Sequence, residues 1–374
     1  MKIKHFICAA GLMLMAASPA MGHIVYEERE TENERIDNGE SWEQGLVPVR
    51  GDNDNWGFIN KTGKLVIPCK WRDARNFSEG LARVEDDNGK WGFIDKTGKL
   101  VIPCRWNLPD EYYFGNFSEG LVCVKDDNGK WGFIDKTGKL VIPNKWYGVN
   151  DFSDGLACVV DNKDNDYKRG FIDKTGKLVI PCKWQYADDF SEGLAWVCDD
   201  NGKYGFIDKT GKVVIPCKWK DASDFSEDLA RVGDDKGWGF INKTGKVVIP
   251  CKWRNANDFS EGLACVEDDN GKYGFIDKTG KVVIPCKWRN ANDFSDGLAW
   301  VCDNNGKNGF IDKTGKMVIP NKWYRVNDFS DGLACVVDYK DNDFKCGYIN
   351  KTGKLVISCK WKDAEAIVYW MAYE

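Results

Sequence analysis

The run KWGFIDKTGKLVIP fills residues 90–103 and returns unchanged at 130–143. Close copies occupy most of the rest of the chain. Each is marked by a glycine ahead of an aromatic–isoleucine pair: Gly57, Gly92, Gly132, Gly170, Gly205, Gly239, Gly274, Gly309 and Gly347, at spacings of 34 to 40 residues. Each closes on a tryptophan: Trp71, Trp106, Trp146, Trp184, Trp219, Trp253, Trp288, Trp323 and Trp361. Between copies runs a second motif, Phe77-Ser78-Glu79-Gly80-Leu81-Ala82, which recurs from Phe117, Phe152, Phe190, Phe225, Phe259, Phe294 and Phe329. A degenerate version, Trp42 to Val49, opens the series. A unit this short cannot bury a sheet face alone, so it must stack on its neighbours into one body. The repeat therefore overrides the two or three domains that 374 residues would otherwise suggest.

The repeat must be β. No segment carries apolar residues at helical spacing for 11 residues, and Gly and Pro punctuate every copy. Three strands per copy are expected: Leu81 to Val84, Trp91 to Ile94 and Leu100 to Ile102. Asp87-Asn88-Gly89-Lys90 joins the first two as a tight hairpin, and Asp95-Lys96-Thr97-Gly98 joins the next two with Gly98 left-handed. Pro103, with no N–H to give, is expected to end the third strand. A looser connection of about a dozen residues leads onward. Residues 144–184 match 321–361, an offset of 177, so whole blocks of five copies look duplicated. Adjustable copy number favours an open, elongated, twisted array of three-stranded units. A closed β-propeller is the alternative, in which the partial motifs Trp42 to Val49 and Lys362 to Ile367 complete one shared blade.

The ends differ from the array. Lys2, Lys4 and the apolar run Phe6 to Ala17 read as a secretory signal peptide over 1–22, with cleavage after Ala20 or Gly22. Cys8 lies inside the apolar run, so no lipid-anchored cysteine is expected. Residues 23–41, rich in acids, read as a tether; 42–367 form the array and 368–374 a tail. The expected location is periplasm, cell surface or outside the cell. No other run is long enough for a transmembrane helix.

Composition excludes whole classes of function. The only histidines are His5 and His23, so no Ser-His-Asp or Cys-His pair lies within the array, and the commonest metal ligand is missing. No cofactor is expected. Residues 1–22 hold two of the 53 bases and none of the 58 acids, leaving the remainder at −7 with signs interleaved. A nucleic-acid partner is therefore not expected. Thr97-Gly98-Lys99 joins two strands and opens no helix, so it is no nucleotide loop. Acidic turns such as Asp52 to Asn55 and Asp161 to Asp166 lack the glycine and closing glutamate of a calcium loop. Asn60, Asn242 and Asn350 fit a glycosylation pattern, but other copies hold Asp there, as at Asp95, which points to turn formation.

These motifs resemble the WG-repeat (KWG-repeat) family of bacterial proteins, over about residues 42–366. The resemblance implies an exported, β-rich interaction module and supplies no catalytic residues. The name-giving Trp is replaced by Arg169, Tyr204, Tyr273, Asn308 and Cys346, whereas the glycine after it never changes, which indicates a backbone requirement.

Two sets of side chains are candidates for binding. The nine closing tryptophans could form an aromatic ladder for sugar rings or partner side chains, or could cap the core between copies with the preceding Lys lying on them. Positions that vary between copies suit a binding face better. One such series includes Arg83, Trp196, Arg231 and Trp300; the other follows the closing Trp and runs Arg72, Asn107, Tyr147, Gln185, Lys220, Arg254, Arg289, Tyr324, Lys362. In an exported chain, disulfides inside one connection are also plausible: Cys104–Cys123, Cys182–Cys198, Cys251–Cys265 and Cys286–Cys302. Free, buried cysteines are the alternative. The sequence therefore points to a non-enzymatic, exported repeat protein that holds a protein partner or serves a structural role at the envelope or surface. A carbohydrate-binding array using one Trp per repeat is the alternative, and a glycan hydrolase the third reading.

Overall fold

The computed structural model describes residues 45–107, 115–163, 166–340 and 343–364. The signal peptide, tether and tail expected at 1–22, 23–41 and 368–374 lie outside these residues. Among the described residues all regular structure is strand, in nine small antiparallel sheets. Together they make a nine-bladed β-propeller.

Blade two shows the plan. From the axis outward it holds an inner strand, Asp73–Ser78, a second, Leu81–Glu85, a third, Trp91–Ile94, and an outer strand, Leu100–Trp106. The last three are the strands expected from the sequence. The inner strand lies in the stretch expected to be a loose connection. It pairs with its neighbour through Asp73–Glu85 and Ser78–Leu81, with a register shift between Ala74 and Phe77. The outer strand does not end at Pro103. It is an edge strand, so the missing N–H costs no ladder bond, and it runs on to pair Trp106 with Trp91.

Connections alternate between two ends of the barrel of blades. Second and third strands are joined by a three-residue loop closed by Asp86 and Lys90, in which only Gly89 is left-handed (φ 72°). The loop Lys96-Thr97-Gly98 joins third and outer strands in the same way. Asp95 Oδ1 accepts from Thr97 N, Thr97 Oγ1 and Lys99 N. Asn60 Oδ1 does the same for Thr62 and Lys64, which explains the Asn–Asp exchange.

The core lies between blades, not within them. Nine apolar clusters fill nine interfaces. In eight of them a third-strand Phe meets the Phe of the Phe-Ser motif in the next blade at 4.7–5.0 Å between ring centroids. The ninth packs Val47, Val49 and Ile59 of blade one against Leu333, Tyr348 and Ile357 of blade nine. There the strand Asp363–Ala364 pairs with Leu46–Arg50, Val49 opposite Ala364 and Arg50 opposite Asp363. The last strand is thus the inner strand of the first blade, and the elongated open array is replaced by a ring. An open array would leave a Val47–Val49 face and a Tyr348 face in water; closing the ring buries both against each other.

Polar staples follow the same ring. At seven consecutive interfaces the motif Ser donates Oγ to the next blade's Phe carbonyl at 2.6–2.8 Å. The following Glu or Asp reaches the next blade as well: Glu79 accepts from Gly120 N at 3.0 Å and pairs with Lys136 at 3.1 Å. Lys61 and Asp331 make this pair across the closure. The end of the ring that carries these contacts is called the staple face. The opposite end, with the second-to-third hairpins and the crossings after each closing Trp, is the hairpin face.

Candidate functional site: the hairpin face and the axial carboxylates

The closing tryptophans sit at the outer end of each inter-blade core. Trp146, Trp184, Trp219, Trp253 and Trp323 are buried; Trp71, Trp106, Trp288 and Trp361 are half-buried. Each ring is covered by the base before it, 4.6–4.9 Å from nitrogen or guanidinium carbon to ring centroid. All nine indole N–H groups are buried with no acceptor among the described residues. This packing leaves little ring face for a sugar.

Arg83, Trp196, Arg231 and Trp300 share one register position on the second strand, opposite a third-strand Phe. They point between blades. Arg83 is 1% exposed and lies 4.4 Å from the Trp91 ring; Arg231 stacks on Trp238 at 4.5 Å and donates to Ala256 O of the next blade. Trp196 and Trp300 are half-buried, each beside the core it shares with the next blade. Cys158 and Cys265, at the same position, each direct Sγ to a carbonyl of the next blade's inner strand, Ala187 O and Ala291 O, at 3.6 Å.

This position faces a feature that the sequence reading passed over. The residue before the motif Phe is Asp in six consecutive blades: Asp151, Asp189, Asp224, Asp258, Asp293 and Asp328. Asp224 and Asp328 lie on inner strands, and the other four lie two residues past the end of one, around the axis. Burial, offset in part by the Cys123 thiol, the Arg83 charge and the Gly115 and Asn116 N–H groups, pushes Asp151 up to about 7. Burial first, then the charges of Asp328 and Asp258, push Asp293 up to about 8. Burial and the neighbouring Asp188, Asp151 and Asp224 push Asp189 well above the carboxylate range. A polar chain ties neighbouring blades alongside them: Asn150 Nδ2 donates to Asp188 at 3.1 Å, Asn257 Nδ2 to Asn292 at 3.4 Å and Asn292 Nδ2 to Asp328 at 2.8 Å. The recurring pair Asn-Asp before Phe-Ser was the available signal. Among the described residues no group of three or more His, Cys, Asp or Glu is arranged to hold a metal ion.

No disulfide joins any of the fourteen described cysteines, so the pairs Cys104–Cys123, Cys182–Cys198, Cys251–Cys265 and Cys286–Cys302 are not formed. The reason is sidedness. Outer-strand cysteines face the preceding blade and second-strand cysteines the following one. Cys104 packs with the core of blades one and two, and Cys123 with that of blades three and four. The outer-strand thiols bridge their own blade instead. Cys251 Sγ lies 3.7 Å from Val232 O, and Asn144 in the same place donates to Val124 O and Lys130 O at 2.9 and 3.0 Å. Burial pushes Cys104, Cys182, Cys217, Cys251 and Cys286 up to about 11, which keeps them as thiols.

The hairpin face is where the blades differ. Residues after the closing Trp line it, and several make local pairs: Arg254 with Glu267 at 3.2 Å, Asn107 with Asp127 at 3.1 Å. Two hairpins are longer than the rest, Leu156–Lys163 with Asp166–Asp173 in blade four and Leu333–Lys340 with Asp343–Asn350 in blade nine. Both carry aromatic outcrops. Tyr147 meets Tyr167 edge-on at 5.9 Å, with Arg169 4.7 Å from Tyr186 beside them. Tyr324, Tyr339 and Phe344 form a cluster at 4.5–5.6 Å. Tyr167, Tyr186 and Tyr339 are the exposed aromatic rings among the described residues.

A family model described as WG containing repeat matches residues 56–91, 91–131, 131–163, 170–204, 204–236, 238–273, 273–307, 309–339 and 347–369. The chain belongs to the WG-repeat family. Each WG unit starts in a third strand, and the first eight run into or through the next blade's second strand and end no later than the start of its third, so unit and blade are half out of step. That phase shift leaves an inner strand over at the end of the array for blade one. The solved structures similar to this WG-repeat chain include the computationally designed Ika8 protein, 12% identical, with a TM-score of 0.42, covering 75% of this chain and 93% of that one. BamB from Moraxella catarrhalis is 13% identical, with a TM-score of 0.44, covering 69% and 88%. No curated protein matches the chain. No helix among the described residues is long and apolar enough to cross a membrane.

Proposed function

We propose that this propeller is an exported, non-catalytic platform that holds a protein partner at the cell envelope or surface through its hairpin face. The carrying observation is the contrast between its two ends. Staple-face residues recur almost unchanged because each is bonded to the next blade. The hairpin face differs from blade to blade and presents Tyr167, Tyr186 and Tyr339. Tyrosine offers a large, stiff ring with a polar tip, the chemistry favoured at interface anchors. Export rests on the leader read in residues 1–22. The non-catalytic reading is supported by the lack of histidine beyond position 23 and by the axial carboxylates, which occupy equivalent places and serve blade-to-blade contacts. A sugar ladder on the closing Trp rings is not favoured by their packing.

The test is a photo-crosslinking residue placed at Tyr167, Tyr339, Lys96 or Thr137 in otherwise intact protein on whole cells. A single protein adduct from the first two sites, absent from the staple-face sites, supports the platform. Equal labelling from both faces, or a glycan in place of a protein, contradicts it.

A further inference from the structure

The circumference of the ring is chemically unlike both ends. In blade one the outer strand reads Lys64, Leu65, Val66, Ile67, Pro68, Cys69, Lys70, and only Ile67 is buried. Every blade repeats this order: a base, two apolar residues, a buried Ile, Pro or Ser, Cys or Asn, and a second base. Leu65 and Val66 are 41% and 40% exposed, and every exposed large aliphatic among the described residues lies on an outer strand. The outer strands carry no acid. The second base is held over the closing Trp, 4.9 Å away for Lys70, yet remains exposed. The first has a turn carboxylate nearby in six blades, as Asp95 is to Lys99.

Exposed positions in this chain do diverge: the residue after the closing Trp is Arg, Asn, Tyr, Gln or Lys. Yet the second exposed apolar residue of the rim is Val in all nine blades, and the first is Leu, Val or Met. Packing alone does not require this of side chains that are two-fifths in water.

We propose that the rim rests edge-on against an anionic lipid bilayer. The outer strand runs along the ring's side, so a bilayer tangent to the rim meets it lengthwise. The apolar pair enters the headgroup boundary and the two bases, six residues apart, meet lipid phosphates on either side of it. A soluble polyanion would use the bases but leaves the Leu-Val pairs without a role. Edge-on seating also leaves the hairpin face clear at the side, so it is compatible with the platform reading without depending on it.

The test uses residues 23–374, which hold all nine blades and both strands of the closure but not the apolar leader, which would bind lipid by itself. Sedimentation is measured with vesicles of equal parts phosphatidylglycerol and phosphatidylcholine, and with phosphatidylcholine alone. In one variant the second exposed Val becomes Thr in every blade (Val66→Thr and its eight equivalents), which keeps strand propensity and shape. In another the base before each closing Trp becomes Gln. With far-UV circular dichroism unchanged, each variant should lose at least about tenfold in binding to the anionic vesicles. Failure of the unaltered protein to sediment with anionic vesicles overturns the proposal. So does binding that the Val→Thr variant retains and that inorganic polyphosphate abolishes, which would reassign the rim to a soluble polyanion.

Discussion

At the scale of single residues, the repeat keeps what its neighbours leave no room to change. A Cβ on Gly92 would stand 2.5 Å from Ile102 O and 2.8 Å from Cys104 N, because the outer strand bulges over the third at this point. The sequence pointed to a backbone requirement there; its cause is close approach, not a left-handed φ. Gly92→Ala should cost about 2–3 kcal/mol in urea unfolding. Cys286→Asn should cost under about 1 kcal/mol, since Asn144 and Asn321 already occupy that place with bonds to the second strand. Two of the axial carboxylates, Asp151 and Asp293, set a pH dependence. Their folded pKa values lie above the unfolded value, so the stability their protonated forms give is complete below about pH 4 and is lost as pH rises through about 7 to 8. The urea midpoint should fall over that range, and fall less in Asp293→Asn.

At the scale of elements, the sequence showed three strands in four. Alternating apolar residues and Asp-x-x-Gly loops made those three legible. The inner strand was not, because its turn, Glu79-Gly80, has both residues left-handed (φ 48° and 89°), and a glutamate gives no hint of that. Its pairing is also broken by a register shift and shrinks to two residues in blades four, five, seven and eight. The acid at the strained position is kept for its reach. Glu119 accepts from Gly155 N at 3.1 Å and pairs with Lys174 at 2.9 Å. Glu119→Ala should therefore cost about 1 kcal/mol, and Lys174→Ala less, because the lysine is half in water and its loss leaves the Gly155 N–H bond to Glu119 in place. Urea denaturation of the two variants at one pH separates them.

At the scale of the whole molecule, closure was the part least legible in the sequence. Copy number says nothing about curvature, and the duplicated block of 177 residues argued for an open array. The decisive feature was the half-motif at each end, which the ring turns into one blade. The candidate sites divided in a similar way. Positions that vary on the hairpin face stayed on the surface, whereas Arg83 and Arg231 are buried, each against the third-strand Trp of its own blade, Trp91 and Trp238. Everything proposed for the hairpin face and the rim depends on the ring being closed. The direct measurement is zero-length carbodiimide crosslinking of the folded protein, read by peptide mass spectrometry. Lys61 to Asp331, 270 residues apart, and Lys362 to Asp54, 308 apart, should link alongside neighbouring-blade pairs such as Lys136 to Glu79. Recovery of the neighbouring-blade links with neither long-range link would contradict the closed ring.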